Sequence, residues 1–239
     1  MTWTDLVVFL FTGSKAQRAK QSMAKCKINL TQCKAGGIII FNEGKAMIMK
    51  GERSNMKGRV RFALCLFSAA LIALFLYILI HECGHMIVML SAGATITDFS
   101  ILGAHVSSVG GDYTNTSDLW MNANGALLPL ILSYVYMLFY KRSLANTFYR
   151  ILSYMISLVP TASLLAWVIL PILYMNGNAP AGDDVTKFLF NFSQSYDPIY
   201  VSVAALLLIM TGIAIMVIKG IPQNFCNEAK SIRVKEALS

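Results

Sequence analysis

Charge is scarce in this chain. Only 13% of its 239 residues are Asp, Glu, Lys or Arg, whereas 56% are hydrophobic. Soluble domains carry about 25% charged residues, so this balance excludes an ordinary solvent-exposed domain and points to an integral membrane protein. Histidine is scarcer still, with only His81, His85 and His105. The cysteines, Cys26, Cys33, Cys65, Cys83 and Cys226, are odd in number and widely scattered. They exclude a disulfide framework and a Cys-x-x-Cys zinc site.

What the chain has instead is long apolar runs. Stretches of about 20 apolar residues, enough to cross a hydrocarbon core of about 30 Å, fall near 62–91, 121–140, 149–175 and 199–218. The expected architecture is an all-α, multi-pass membrane protein of about four transmembrane helices. The first run is too long for a straight crossing, so it must tilt, protrude or break.

The net charge of +8 is concentrated. Residues 1–61 hold twelve of the twenty Lys and Arg against Asp5, Glu43 and Glu52 alone. Lys141, Arg142 and Arg150 bracket the second turn, and Lys219, Lys230, Arg233 and Lys235 follow the last run. The positive-inside rule makes both termini and that turn cytoplasmic. The acidic loops 92–120 and 176–198 then face the opposite side. Juxtamembrane basic residues are accounted for by topology and anionic lipid, so membrane lipid is an expected partner and nucleic acid is not.

Residues 1–55 read as a basic cytoplasmic extension, 56–220 as the membrane domain and 221–239 as a cytoplasmic tail. Gly36 to Phe41 suggests a short strand. Lys50-Gly51-Glu52-Arg53 can be encoded by a purine-rich run resembling a ribosome-binding site just before Met56. Met56 is accordingly read as an alternative start, with Lys57, Arg59 and Arg61 orienting an uncleaved first anchor.

Inside the first apolar run stands His81-Glu82-Cys83-Gly84-His85. On a helix, histidines four residues apart share a face, and Glu82 is turned about 100° to its edge. Two neutral imidazoles can hold zinc while a neighbouring carboxylate takes a proton from water at the open position, which implies hydrolysis. Charged groups within a membrane are costly, and such a cluster is a functional site by default. The bland reading is a structural polar cluster. Cys83, about 200° from His81, is expected to pack rather than ligate.

A third ligand must come from elsewhere. Asn176 to Asp184 is a turn-rich segment delivering Asp183 and Asp184 at the start of a mostly apolar piece, Val185 to Phe192, and either carboxylate could ligate or cap a helix. His105 is the remaining candidate. It lies in Thr95 to Val109, whose alternation around Gly103 reads as a re-entrant or interfacial β-hairpin with an edge suited to an extended substrate. The second run opens at Met121-Asn122-Ala123-Asn124-Gly125 and contains Pro129, so irregular first turns are expected. Asn122 and Asn124 are candidates for lining a substrate cavity or for capping a helix end. Pro160 and Pro171, with Thr161 and Ser163 beside the first, suit a kinked third helix that faces protein.

Taken together these residues resemble the site-2 protease family of intramembrane zinc metalloproteases. The likeness runs from roughly Leu71 to Leu189: the His81 to His85 motif in a membrane helix, a strand-like stretch after Gly93, a glycine in the second core helix at Gly125 and an Asn…Pro…Asp segment ending at Asp184. The chain departs at Ala126, where the family usually has proline, and at Val185, where it usually has glycine. The resemblance implies three core helices around a buried zinc, with a transmembrane protein or peptide as substrate. It implies His81, His85 and Asp184 as ligands, with Asp183 and then His105 as alternatives, and Glu82 as general base. Asp184 is preferred because its distance from Asn176 best matches the family's spacing, and because Asp183 follows Gly182 as a natural cap. The rival expectation is a catalytically inactive protein that keeps the fold to bind a transmembrane partner.

Overall fold

A computed structural model describes the backbone from Phe41 to Ala237 and the side chains from Gly58 to Ser231. The chain divides into two compact units, Met1–Met47 and Ile48–Ser239, and the first lies almost wholly outside the described residues. The strand expected from Gly36 falls outside them too, except that Phe41 is helical.

The elements in order are α1 (Phe41–Ser91), β1 (Thr95–Ser100), β2 (His105–Val109), α2 (Asn115–Leu138), α3 (Thr147–Met175), α4 (Asp184–Phe192), α5 (Ile199–Lys219) and α6 (Ile221–Ala237). Among the described residues, four helical stretches are long and apolar enough to cross a membrane: Gly58–Ser91, Asn115–Leu138, Thr147–Met175 and Ile199–Lys219. Exposed side chains such as Phe67, Leu71, Phe75, Leu207 and Ile213 give these helices an apolar outer surface.

Three boundaries differ from the sequence reading. α1 begins well before the apolar run, because residues 41–57 hold Glu, Lys, Ala and Met with no proline to stop a helix. α2 starts at Asn115, with Thr114 and Ser117 forming a reciprocal capping box. The helix is therefore already established when it reaches Met121 to Gly125, and that stretch is regular rather than broken. The tail after Lys219 is also helical, turned by Gly220 in the left-handed conformation.

The helices alternate in direction. Lys219 Nζ donates to the Leu138 carbonyl, Asn224 Nδ2 to the Arg142 carbonyl, and Phe62 packs near Phe225. The basic turn, the end of α5, the start of α6 and the start of the apolar part of α1 thus share one end. Near it the core is built on Met137, Tyr140, Met216 and Ile221, and Leu130, Leu164 and Ile209 continue it inward. At the opposite end Val185, Leu189 and Val201 seat the short α4 against Trp167 and Leu170.

Proline chemistry explains some of the interhelical polar contacts. Pro160 has no N–H to give the Ile156 carbonyl, and the Ser133 hydroxyl on α2 donates to that carbonyl at 3.0 Å. Near Pro171, Ser202 on α5 serves the Val168 carbonyl at 2.8 Å. β1 and β2 form an antiparallel hairpin, Thr95 opposite Val109 and Ser100 opposite His105, with an irregularity between Ile96 and Asp98.

Candidate metal centre

α1 carries His81 and His85 roughly 9–15 Å before its end at Ser91, at 1.5 Å per residue. α4 meets them from across the bundle. Its residues Val185 and Leu189 are 5% and 0% exposed, and burying them fixes the direction in which the first turn points. Asp183 is the N-cap: its carboxylate accepts from the Thr186 N–H at 3.0 Å and from the Thr186 hydroxyl at 2.6 Å. Asp184, turned about 100° further, faces the histidines.

The result is a tight donor set. His81 Nε2 and His85 Nε2 lie 3.0 and 3.2 Å from Asp184 Oδ2, and 3.1 Å from each other. Corners of a tetrahedron with 2.0–2.1 Å metal bonds stand about 3.3–3.4 Å apart, so these atoms already have nearly the spacing that one metal ion requires. Among the described residues no other group of three His, Cys, Asp or Glu converges in this way. Burial opposes ionisation of Asp184, but the two imidazoles outweigh it and hold the carboxyl well below the usual range, in the anionic form a cation needs.

Other contacts orient the rings. His85 Nδ1 donates to the Met121 carbonyl at 2.7 Å, an assignment that leaves the Nε2 lone pair facing the centre. His81 Nδ1 is the one buried side-chain polar atom without a partner among the described residues. Such an orphan costs about 1–3 kcal/mol and marks strain or function. Glu82 is 4% exposed. Its charge reaches His85.

At Gly84 α1 meets the backbone of α2 directly, and at Gly125 the backbone of α2 meets the two imidazoles. A Cβ on Gly84 would lie 2.4 Å from the Asn124 carbonyl oxygen, and one on Gly125 would lie 2.6 Å from His85 Nε2 and 2.9 Å from His81 Cε1. Asn124 Nδ2 donates to the Gly84 carbonyl at 2.8 Å, clamping this seam. Asn122 donates to the Asp118 carbonyl in its own helix and, with Lys187 and Asn191, lines a recess between α2 and α4. Neither asparagine caps a helix end. His105 stands apart, on the exposed hairpin and 2.7 Å from Asp98, whose hydrogen bond keeps the imidazolium to higher pH than usual. Cys83 is a free, half-buried thiol outside the donor set.

Sequence reasoning missed two participants. The Met121 carbonyl has no side-chain signature. Tyr77 has one: it precedes His81 by four residues, hence shares its face, and the two ring centroids are 5.7 Å apart. Compared with protein-family profiles, with curated proteins and with solved structures, the chain matches none.

Proposed function

We propose that this chain is a zinc metalloendopeptidase of the membrane, hydrolysing peptide bonds in or near transmembrane segments of other proteins, as its resemblance to the site-2 protease family implies. The observation that carries the reading is the convergence of His81, His85 and Asp184 within 3.2 Å, beside the buried carboxylate of Glu82. Two imidazoles and one carboxylate with an open position match catalytic zinc better than calcium, magnesium or a thiolate-bound metal.

His81, His85 and Asp184 would hold the ion, which would supply Lewis acidity and a nucleophile at neutral pH. Glu82 accepts the proton from the attacking water and returns it to the leaving amine. The Met121 carbonyl keeps the His85 ring in its ligating tautomer. Both termini lie in the cytoplasm, with the hairpin and α4 on the other side. The partners are a transmembrane protein or peptide and the surrounding lipid.

The test combines metal analysis with proteolysis. Purified protein should hold one equivalent of zinc, and His81→Ala or His85→Ala should lose it. Coexpression with a panel of single-span membrane proteins should yield fragments that Glu82→Gln does not produce. Stoichiometric zinc without fragments would favour the partner-binding reading, and absence of zinc would end the metalloprotease one.

The aspartates make a sharper test. Outer-sphere partners of metal ligands typically contribute 10–100-fold to affinity, so Asp184→Asn, which weakens a direct ligand, should cost at least about that much. Asp183→Asn should leave zinc in place, because asparagine caps about as well as aspartate. Equal zinc loss in the two variants, measured by competition with a chelator, would remove the distinction between them.

A further inference from the structure

A cavity of about 190 Å³ lies between α1, α2 and α3, lined by Ala73, Leu76, Tyr77 and Ile80 on α1, by Pro129 on α2 and by Pro160 on α3 among others. It belongs to the same seam as the donor set. On α1 the row 73, 76, 77, 80 continues at helical spacing into 81 and 84, and on α2 Pro129 stands one turn beyond Gly125. Tyr77 belongs to both, lining the cavity and packing on the His81 ring. Along α1 the cavity therefore lies within about one turn of the donor set. A larger apolar groove exists, but it includes Leu119, Ala123 and Leu127, on the face of α2 turned away from Gly125.

The walls are apolar in effect. The Ser133 hydroxyl is committed to the Ile156 carbonyl, and the Tyr136 hydroxyl pairs with Ser153 at 2.6 Å. A cavity of about 150 Å³ with apolar walls stays dry and accepts a molecule the size of benzene. The geometry points to a specificity subsite: this cavity receives one bulky apolar side chain, of the size of leucine or phenylalanine, from the residue flanking the scissile bond. The inference rests on the protease reading above. Ala73, 3% exposed and about 12 Å along the helix from His81, sets its depth.

The experiment uses the full-length, zinc-loaded protein in vesicles with single-span reporters identical except for alanine, leucine or phenylalanine flanking the mapped cut. One methylene in an apolar pocket is worth roughly 10–200-fold in discrimination, so wild type should cut the leucine and phenylalanine reporters at least about tenfold faster than the alanine one. Ala73→Leu should lose that preference while keeping zinc, the leucine and phenylalanine reporters falling to the rate of the alanine one. Leu76→Ala, which enlarges the cavity, should favour phenylalanine over leucine, and it carries the test should Ala73→Leu not fold. Wild-type preference retained in the folded, zinc-bound variants, or no apolar preference in wild type, would overturn the subsite alone. Zinc-loaded wild type that cuts no reporter overturns the protease reading and the subsite with it.

Discussion

Replacing Glu82 with glutamine is expected to leave zinc bound and to lower the cleavage rate by about 10²–10⁴-fold, the usual contribution of a general base. The two outcomes separate because Glu82 belongs to no donor set: the converging atoms are on His81, His85 and Asp184. Glutamine keeps the size of the side chain in a site only 4% exposed, so packing is preserved while the proton acceptor is lost. Rates measured on one reporter, with zinc determined on the same preparation, provide the check. Loss of the metal along with the rate would mean that Glu82 supports the ligands, and full activity would remove it from the mechanism.

The second large effect is expected at Gly125. In an ordinary helix Gly→Ala gains about 1 kcal/mol, so a substitution here that harms the protein must do so through contact. A methyl at Gly125 would come within 2.6 Å of His85 Nε2 and within 2.9 Å of His81 Cε1. Imidazole rings can rotate away from it, but that rotation moves the ligand atoms themselves. Gly125→Ala should therefore keep a folded, membrane-inserted protein and lose zinc by tenfold or more in affinity, taking 10–100-fold as the typical cost of disturbing a ligand's support. At Gly84 the same methyl meets the backbone of Asn124 at 2.4 and 2.8 Å. Backbone cannot rotate aside, so α1 and α2 must separate, and overpacking of this kind costs about 1–3 kcal/mol. Gly84→Ala should lower thermal stability as well as zinc content. Thermal unfolding and zinc affinity measured on both variants test the contrast, and a Gly125→Ala protein with normal affinity would show that the rings have room to spare.

The sequence by itself determined the four apolar helices and the place of the hairpin, because burial in lipid demands long uninterrupted apolar runs and short turn-rich breaks, both local features of the chain. It also made the His81 to His85 pair legible, since a spacing of four on one helix fixes a shared face. It did not give the true start of α2, where a two-residue capping exchange between Thr114 and Ser117 outweighed the expectation of irregular first turns at Met121 to Gly125. Which of the neighbouring aspartates faces the histidines was decided by tertiary structure. Val185 and Leu189 must be buried against Val201 and Trp167, and that packing rotates α4 until Asp184 meets the histidines and Asp183 is left to cap. The same is true of the Met121 carbonyl, the glycine seam and the cavity beyond Tyr77, which exist only where separate helices approach one another and so have no signature within any one of them.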